Sequence, residues 1–250
     1  MEGVPVESGY YAAFAGLLAR SQALDVAAGN LANAGTAGYR AERDYFRSAI
    51  IGPGALDSQL NQTVNNFGVI GGSQLDLGQG ALSSTGNPLD LAIEGDGFFA
   101  IRTKQGVRYT RDGQFERAQN GTLTTEAGEP VLDAKDQAIL LPAGEIGVGT
   151  DGAVSVSGAV AGKIAVFGFA SGDALTPEGA NRYAAVSGVQ PAAATGTIRQ
   201  GLLEASNQNV IEGSLQLVLM QRQAEMMQKA VSIFSGDFDK TASEDLPRVP

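Results

Sequence analysis

The chain has 250 residues, 43% of them hydrophobic, with 27 acidic and 17 basic side chains and a formal charge of −10. That is enough apolar material for a buried core, and a charge that repels nucleic-acid phosphate and anionic lipid. With no histidine, cysteine or tryptophan in the sequence, Ser-His-Asp and Cys-His nucleophile systems, imidazole or thiolate zinc sites and disulfides are excluded.

The first predicted helix starts near Ser8, an N-cap residue type, and runs to about Asn33, where Gly35 and Gly38 supply stop signals. Along it Tyr10, Phe14, Leu17, Ser21, Leu24, Ala28 and Leu31 recur at alternating spacings of four and three. A repeat of about 3.5 keeps one stripe facing a partner helix, as in a coiled coil. The start of the chain lacks the basic residues and continuous apolar stretch of a secretory signal, and no run reaches membrane-span length. The expectation is a protein without membrane insertion that stays in the cytoplasm or leaves without a cleavable signal.

Residues 39–85 have little periodicity and many Gly, Asn, Gln and Ser residues, with Gly52-Pro53-Gly54 and Gly71-Gly72 as breakers. They read as an extended connector. From 86 to 200 the pattern changes to short apolar runs, among them Leu89–Ile93, Phe98–Ile101, Ala153–Val156 and Ile164–Phe167. Asp-Gly at 96, 112 and 151 and Asn-Gly at 120 separate the runs, and these dipeptides suit turns that need positive φ. This region reads as an antiparallel β-domain. Alternation sends Phe98 and Phe99 to opposite faces, one to the core and the other to a domain or subunit interface.

The second seam follows at 201–236, where Val210, Gly213, Leu217, Met220, Ala224, Met227, Val231 and Phe234 repeat the same spacing. Asn209 and Glu212 form a capping box at its start, Gly236 supplies a stop, and 237–250 read as a polar tail. The fold class is therefore α+β: N- and C-terminal helices (1–38 and 201–236) forming an axial, coiled-coil-like layer, with an inserted β-domain. The helical seams are too short to order either helix alone, which points to assembly with further copies.

Three chemical readings compete with this. Gly95-Asp96-Gly97-Phe98-Phe99-Ala100 matches a dinucleotide fingerprint, but that fingerprint must open a helix and here it enters a strand-like run. The carboxylates Asp90, Glu94, Asp96, Asp112 and Glu116 fit no calcium-loop spacing, and Asp before Gly is ordinary turn chemistry. A carboxylate-based hydrolase remains the enzymatic alternative, and an adhesin with a helical stalk the other. Met220, Met226 and Met227 read as seam packing ahead of a promiscuous groove. No cofactor, metal or catalytic residue is expected.

Four stretches carry a family resemblance. Residues 29–40 (GNLANAGTAGYR) hold Asn30, Leu31, Ala32 and Asn33, while 82–101 hold Leu89, Asp90, Gly95, Asp96, Gly97, Phe98 and Phe99. Residues 109–132 begin Tyr109-Thr110-Arg111-Asp112-Gly113 and include Phe115, and 200–210 (QGLLEASNQNV) hold Ser206, Asn207 and Asn209. Together they resemble the axial proteins of the bacterial flagellum, in their rod and hook branch. The resemblance implies a non-enzymatic subunit that self-assembles into the rod, the drive shaft transmitting torque from motor to hook across the periplasm. It implies a proximal-rod position, with a distal-rod or hook-type subunit as the alternative. The implied partners are further copies, other rod and hook axial proteins, and the type III export apparatus. The implied axial contacts run through the two seams, and the implied role of Asn30, Asn33, Asn207 and Asn209 is to bond backbone where each helix ends or begins.

Overall fold

The computed structural model describes residues 6–47 and 69–244. Helix α1 (Val6–Ala32) leads to β1 (Glu42–Arg47), β2 (Val69–Leu75) and β3 (Leu82–Ser84). Next come β4 (Leu91–Glu94), β5 (Phe98–Thr103), β6 (Gly106–Thr110), β7 (Phe115–Arg117) and β8 (Leu123–Thr125). After them lie β9 (Ile146–Val148), β10 (Ala153–Val156), β11 (Ala159–Lys163), β12 (Val166–Gly168) and one turn of 3-10 helix at Gly172–Ala174. The chain continues through β13 (Leu175–Pro177), β14 (Tyr183–Ala185), β15 (Ala192–Ala193), β16 (Thr197–Gln200), β17 (Leu202–Glu204) and α2 (Val210–Glu244). Two terminal helices with an antiparallel β-region between them are thus the α+β arrangement read from the sequence. Among the described residues no helix is long and apolar enough to cross a membrane.

The chain divides into two compact units: Met1–Leu31, Arg43–Ser73 and Ile211–Pro250 in the first, Ala32–Glu42 and Gln74–Val210 in the second. The second unit is built around a six-stranded sheet of order β13-β14-β6-β5-β12-β15. Strand β5 shows why: its residues alternate between two buried clusters. Phe99 and Ile101 join Leu91, Ile93, Phe115, Leu123, Val154 and Ile198 in one. Phe98 and Ala100 join Tyr109, Leu132, Leu175 and Tyr183 in the other. Both phenylalanines are therefore core residues, and neither lies at an interface as the sequence had suggested; β5 is central, with apolar layers on both faces. A three-stranded sheet β11-β10-β9 and the pairs β16-β4, β17-β3 and β7-β8 complete this unit.

Glycines do two different jobs here. Gly97, Gly121 and Gly152 have positive φ, as their Asp-Gly and Asn-Gly dipeptides predict. Gly113 does not: a Cβ there would stand 1.6 Å from the Leu91 carbonyl oxygen. It is required for close approach, and Leu91 N–H donates to the Gly113 carbonyl at 3.0 Å in the same contact.

In the first unit, α1, α2 and the β1–β2 ribbon are the named elements. The expected connector is thus partly strand, with residues 48–68 outside the described residues. Gly71 and Gly72 do not break the chain. They sit in β2, where any Cβ would fall 2.5–2.7 Å from the side chain of Tyr45 in β1. The second helix passes Gly236 and ends at Glu244, eight residues beyond the predicted stop, so the expected tail is helical in part. One glycine costs a helix only about 1 kcal/mol and does not by itself end it.

The two helices cover different stripes. On α2 the less exposed positions are Gly213, Leu217, Met220, Ala224, Met227 and Val231, whereas Val210, Ile211, Leu215, Val218, Leu219 and Met226 are exposed. On α1 the buried stripe is Ala19, Ala23, Ala27 and Asn30. Phe14 is half exposed, Leu17, Leu24 and Leu31 are only partly covered, and Ser21 and Ala28 are exposed. The small face of α1, not its large apolar seam, is what the single chain buries. The side chains of Tyr10 and Phe234 lie outside the described residues.

Candidate functional site

Three segments of the second unit converge on one carboxylate. They are the stretch after α1 (38–41), the stretch leading into β3 (76–80), and β17 with the residues that precede α2 (202–207). Glu204, the last residue of β17, pairs with Leu82 of β3 and turns its side chain fully into the interior. Its Oε1 lies 2.8 Å from Nη2 of Arg40, and its Oε2 accepts from Nη1 of Arg111 at 2.8 Å. Gly80 N–H donates to Oε1 at 2.7 Å, and Gly38 N–H donates to the Glu204 carbonyl at 2.7 Å. All three charged side chains are at most 2% exposed.

Arg111 also joins the motif stretches to each other. It donates from Nη1 to the Ile93 carbonyl at 3.0 Å and from Nη2 to the Gly95 carbonyl at 2.6 Å, with its guanidinium 5.4 Å from the centroid of Phe98. Burial pulls the guanidinium down to about 10, Glu204 holds it up and Arg40 adds to the depression. It stays charged at neutral pH. Arg40 is less well served: among the described residues Nε and Nη1 have no acceptor, and Nη2 meets Glu204 as an ion contact without a directed hydrogen bond. Two guanidiniums sharing one buried carboxylate leave the whole group dependent on Glu204.

Asn207 completes the clamp. Its Oδ1 accepts from Ala41 N–H at 2.8 Å, and its Nδ2 donates to the carbonyls of Asp76 at 2.8 Å and Gly78 at 3.0 Å. Tyr183 Oη accepts from Arg40 N–H at 3.1 Å, and Asn181 Nδ2 donates to the Ala37 carbonyl at 2.5 Å. Both amides are half-buried, and each satisfies backbone polar groups of another segment.

The remaining motif residues do local work. Asn33 accepts from the Thr36 hydroxyl at 3.3 Å just past α1, and Ser206 Oγ accepts from Gln208 N–H at 3.1 Å. Asn209 immediately precedes α2. Asp90 accepts from Asn87 Nδ2 at 2.9 Å, ordering the turn that carries Leu89 against the first core cluster. Thr110 Oγ1 accepts from Asp112 N–H at 3.0 Å, and Phe99 meets Phe115 edge-on at 5.1 Å. Tyr109 packs edge-on against Phe167 and Phe169. Gly95 and Gly97 both take positive φ, and the chain then enters β5, a strand, where a pyrophosphate site requires a helix N-terminus. Asp96 acts on Arg111 only as a neighbouring charge.

Arg40, Tyr183 and Glu204 were not singled out from the sequence. The available signal was a charged residue inside an apolar strand run, Leu202-Leu203-Glu204, and an arginine closing the 29–40 stretch.

Comparison with known proteins places these stretches. Residues 11–40 match the family model described as flagella basal body rod protein, and residues 92–156 match the flagellar hook protein FlgE/F/G D1 domain. The chain is 34% identical to the flagellar basal-body rod protein FlgF of Mesorhizobium japonicum, over 88% of this chain and 90% of that protein. The chain belongs to the flagellar basal-body rod protein family. It is likewise 34% identical to the FlgF of Rhizobium meliloti (94% and 96% covered) and 32% identical to the FlgG of Bacillus subtilis (89% and 93%). The first matched region ends on Arg40 and the second contains Arg111, so Glu204, outside both, is the group that joins them.

Proposed function

We propose that this chain is a structural subunit of the bacterial flagellar basal-body rod, assembling with copies of itself and with other axial proteins into the shaft that turns the hook. The observation that carries this reading is similarity to rod proteins over about nine-tenths of both chains. The position within the rod is read as proximal, with a distal-rod or hook-type subunit as the alternative, since the identities to FlgF relatives (29–34%) and to FlgG relatives (30–32%) overlap. Export without a cleavable signal and residence in the basal body follow from the same reading. The role is mechanical and not catalytic. The terminal helices form the axial layer through coiled-coil-like seams, and the large apolar side chains that α1 leaves partly uncovered are the surface on which neighbouring subunits close. The β-rich unit, with the helix-flanking segments locked into it by Glu204, forms the outer layer of the rod.

Leu31→Asp and Met227→Asp test this reading. Each puts a charge on a seam that becomes dry only on polymerisation, where desolvating it is costly. Neither residue belongs to the second unit, so the melting temperature of that unit should stay at the wild-type value. Cells making only either variant should build no hook and fail to swim. Normal swimming by both variants would sink the axial role of the seams.

A further inference from the structure

The second unit carries a cavity that the clamp does not use. It has a volume of about 940 Å³ and lies among the tip of the β5–β6 hairpin, the turn after β8 and the β13–β14 hairpin. Its lining holds four cations, Arg102, Lys104, Arg108 and Arg182, against two carboxylates, Glu129 and Glu178. Both carboxylates are already committed: Arg108 Nε donates to Glu178 at 2.5 Å, and Arg182 is paired with Glu129. Arg102 and Lys104 are the surplus. Both are exposed, Lys104 forms no ion pair among the described residues, and Arg102 donates to a backbone carbonyl, that of Asp136, at 2.5 Å. In a chain of net charge −10, this is a concave surface of the opposite sign.

The complementary feature lies around the β7–β8 hairpin. Asp112 enters it, Glu116 stands exposed opposite Thr124, and Glu126 follows β8. None of the three is ion-paired to a cation among the described residues. Asp112 is half-buried and pushed up first by that burial, against the Gln114 N–H that it accepts at 3.1 Å, with the Glu126 and Asp90 carboxylates adding to the rise. Copies of so acidic a chain repel one another at long range, except where a cationic hollow meets an anionic ridge. A polymer of one chain requires two different patches that fit each other.

We propose that the Arg102–Lys104 cavity is a subunit interface that receives the Asp112, Glu116 and Glu126 surface of a second copy of this chain. The inference rests on the reading of the chain as a self-assembling subunit and names the contact made by its β-rich unit. A charge swap on the full-length protein tests it, with self-association followed by sedimentation velocity and folding checked by circular dichroism. Arg102→Glu with Lys104→Glu, and separately Glu116→Lys with Glu126→Lys, should each weaken association by about tenfold or more. Mixing the two variants should restore it, because each then supplies the sign the other lacks. Association of the wild type should weaken as salt is raised, since exposed pairs are screened. Wild-type association by both variants, or a mixture no tighter than its components, overturns this contact and leaves the assembly reading standing. A wild-type chain that stays monomeric at every concentration overturns both.

Discussion

Glu204 is the residue on which most depends. Replacing it with Gln keeps the shape and one acceptor but leaves Arg40 and Arg111 buried with no counter-charge. Breaking such a group by removing one partner costs about 3–5 kcal/mol, so Glu204→Gln should lose that much in urea denaturation followed by circular dichroism. A loss below about 1 kcal/mol, the scale of an exposed pair, would show that the triad is not held as described. The glycines provide a paired contrast. An added Cβ at Gly113 would sit 1.6 Å from a carbonyl oxygen, while one at Gly29 would meet nothing within 4 Å. Gly113→Ala should therefore prevent folding of the β-rich unit. Gly29→Ala should stabilise α1 by about 0.5–1 kcal/mol, seen as increased helicity on titration with denaturant.

At the scale of elements, the tyrosines show how the strands and the helix-flanking segment depend on one another. Tyr39, on the segment after α1, is pushed up to about 12, first by burial and then by the charge of Glu42. Tyr109 of β6 and Tyr183 of β14 face each other across the sheet, and burial raises both. An unfolded chain releases these protons near pH 10. Between pH 10 and about 12 the unfolded state therefore binds fewer protons than the folded one, and stability falls as pH rises. For Tyr39 the contribution is complete below pH 10 and is lost as the pH rises through about 12, and Tyr109 and Tyr183 add to the loss in the same direction. Phenolate absorbance should lag behind the free-tyrosine curve and then rise together with loss of near-ultraviolet circular dichroism. Tyr39→Phe should make that unfolding less steep. Independent titration of all three at pH 10 in a folded protein would contradict their burial.

For the whole molecule, the compact β-rich unit of the structure is wider than the run of β-strands at 86–200 and takes in Ala32–Glu42 and Gln74–Val210. Residues 86–200 contain both apolar clusters except for Leu75 and its neighbour Leu77, yet they lack Arg40, Gly80, Glu204 and Asn207. Expressed alone, that fragment leaves Arg111 buried without its carboxylate and should not give a cooperative melt. Residues 32–210 retain every partner of the clamp and should melt cooperatively near the temperature of the full chain's β-rich unit. A cooperative, stable 86–200 fragment would show the clamp to be dispensable. The order of classes along the chain was legible because periodicity and turn dipeptides are local: two seams of spacing 3.5, short apolar runs, and glycine after Asp or Asn. Family membership was legible for a related reason, since its motifs are contiguous. What only the tertiary structure decided is which charges go inside: Glu204 stands in an apolar run, Leu202-Leu203-Glu204, but its partners Arg40 and Arg111 lie far from it in sequence, and spacing along the chain does not pair them. It also decided that Gly113 serves close approach and not a turn, that Gly71 and Gly72 make room for Tyr45, and that α1 buries its alanines before its leucines. Each of these depends on what stands opposite a residue across space, which spacing along the chain does not encode.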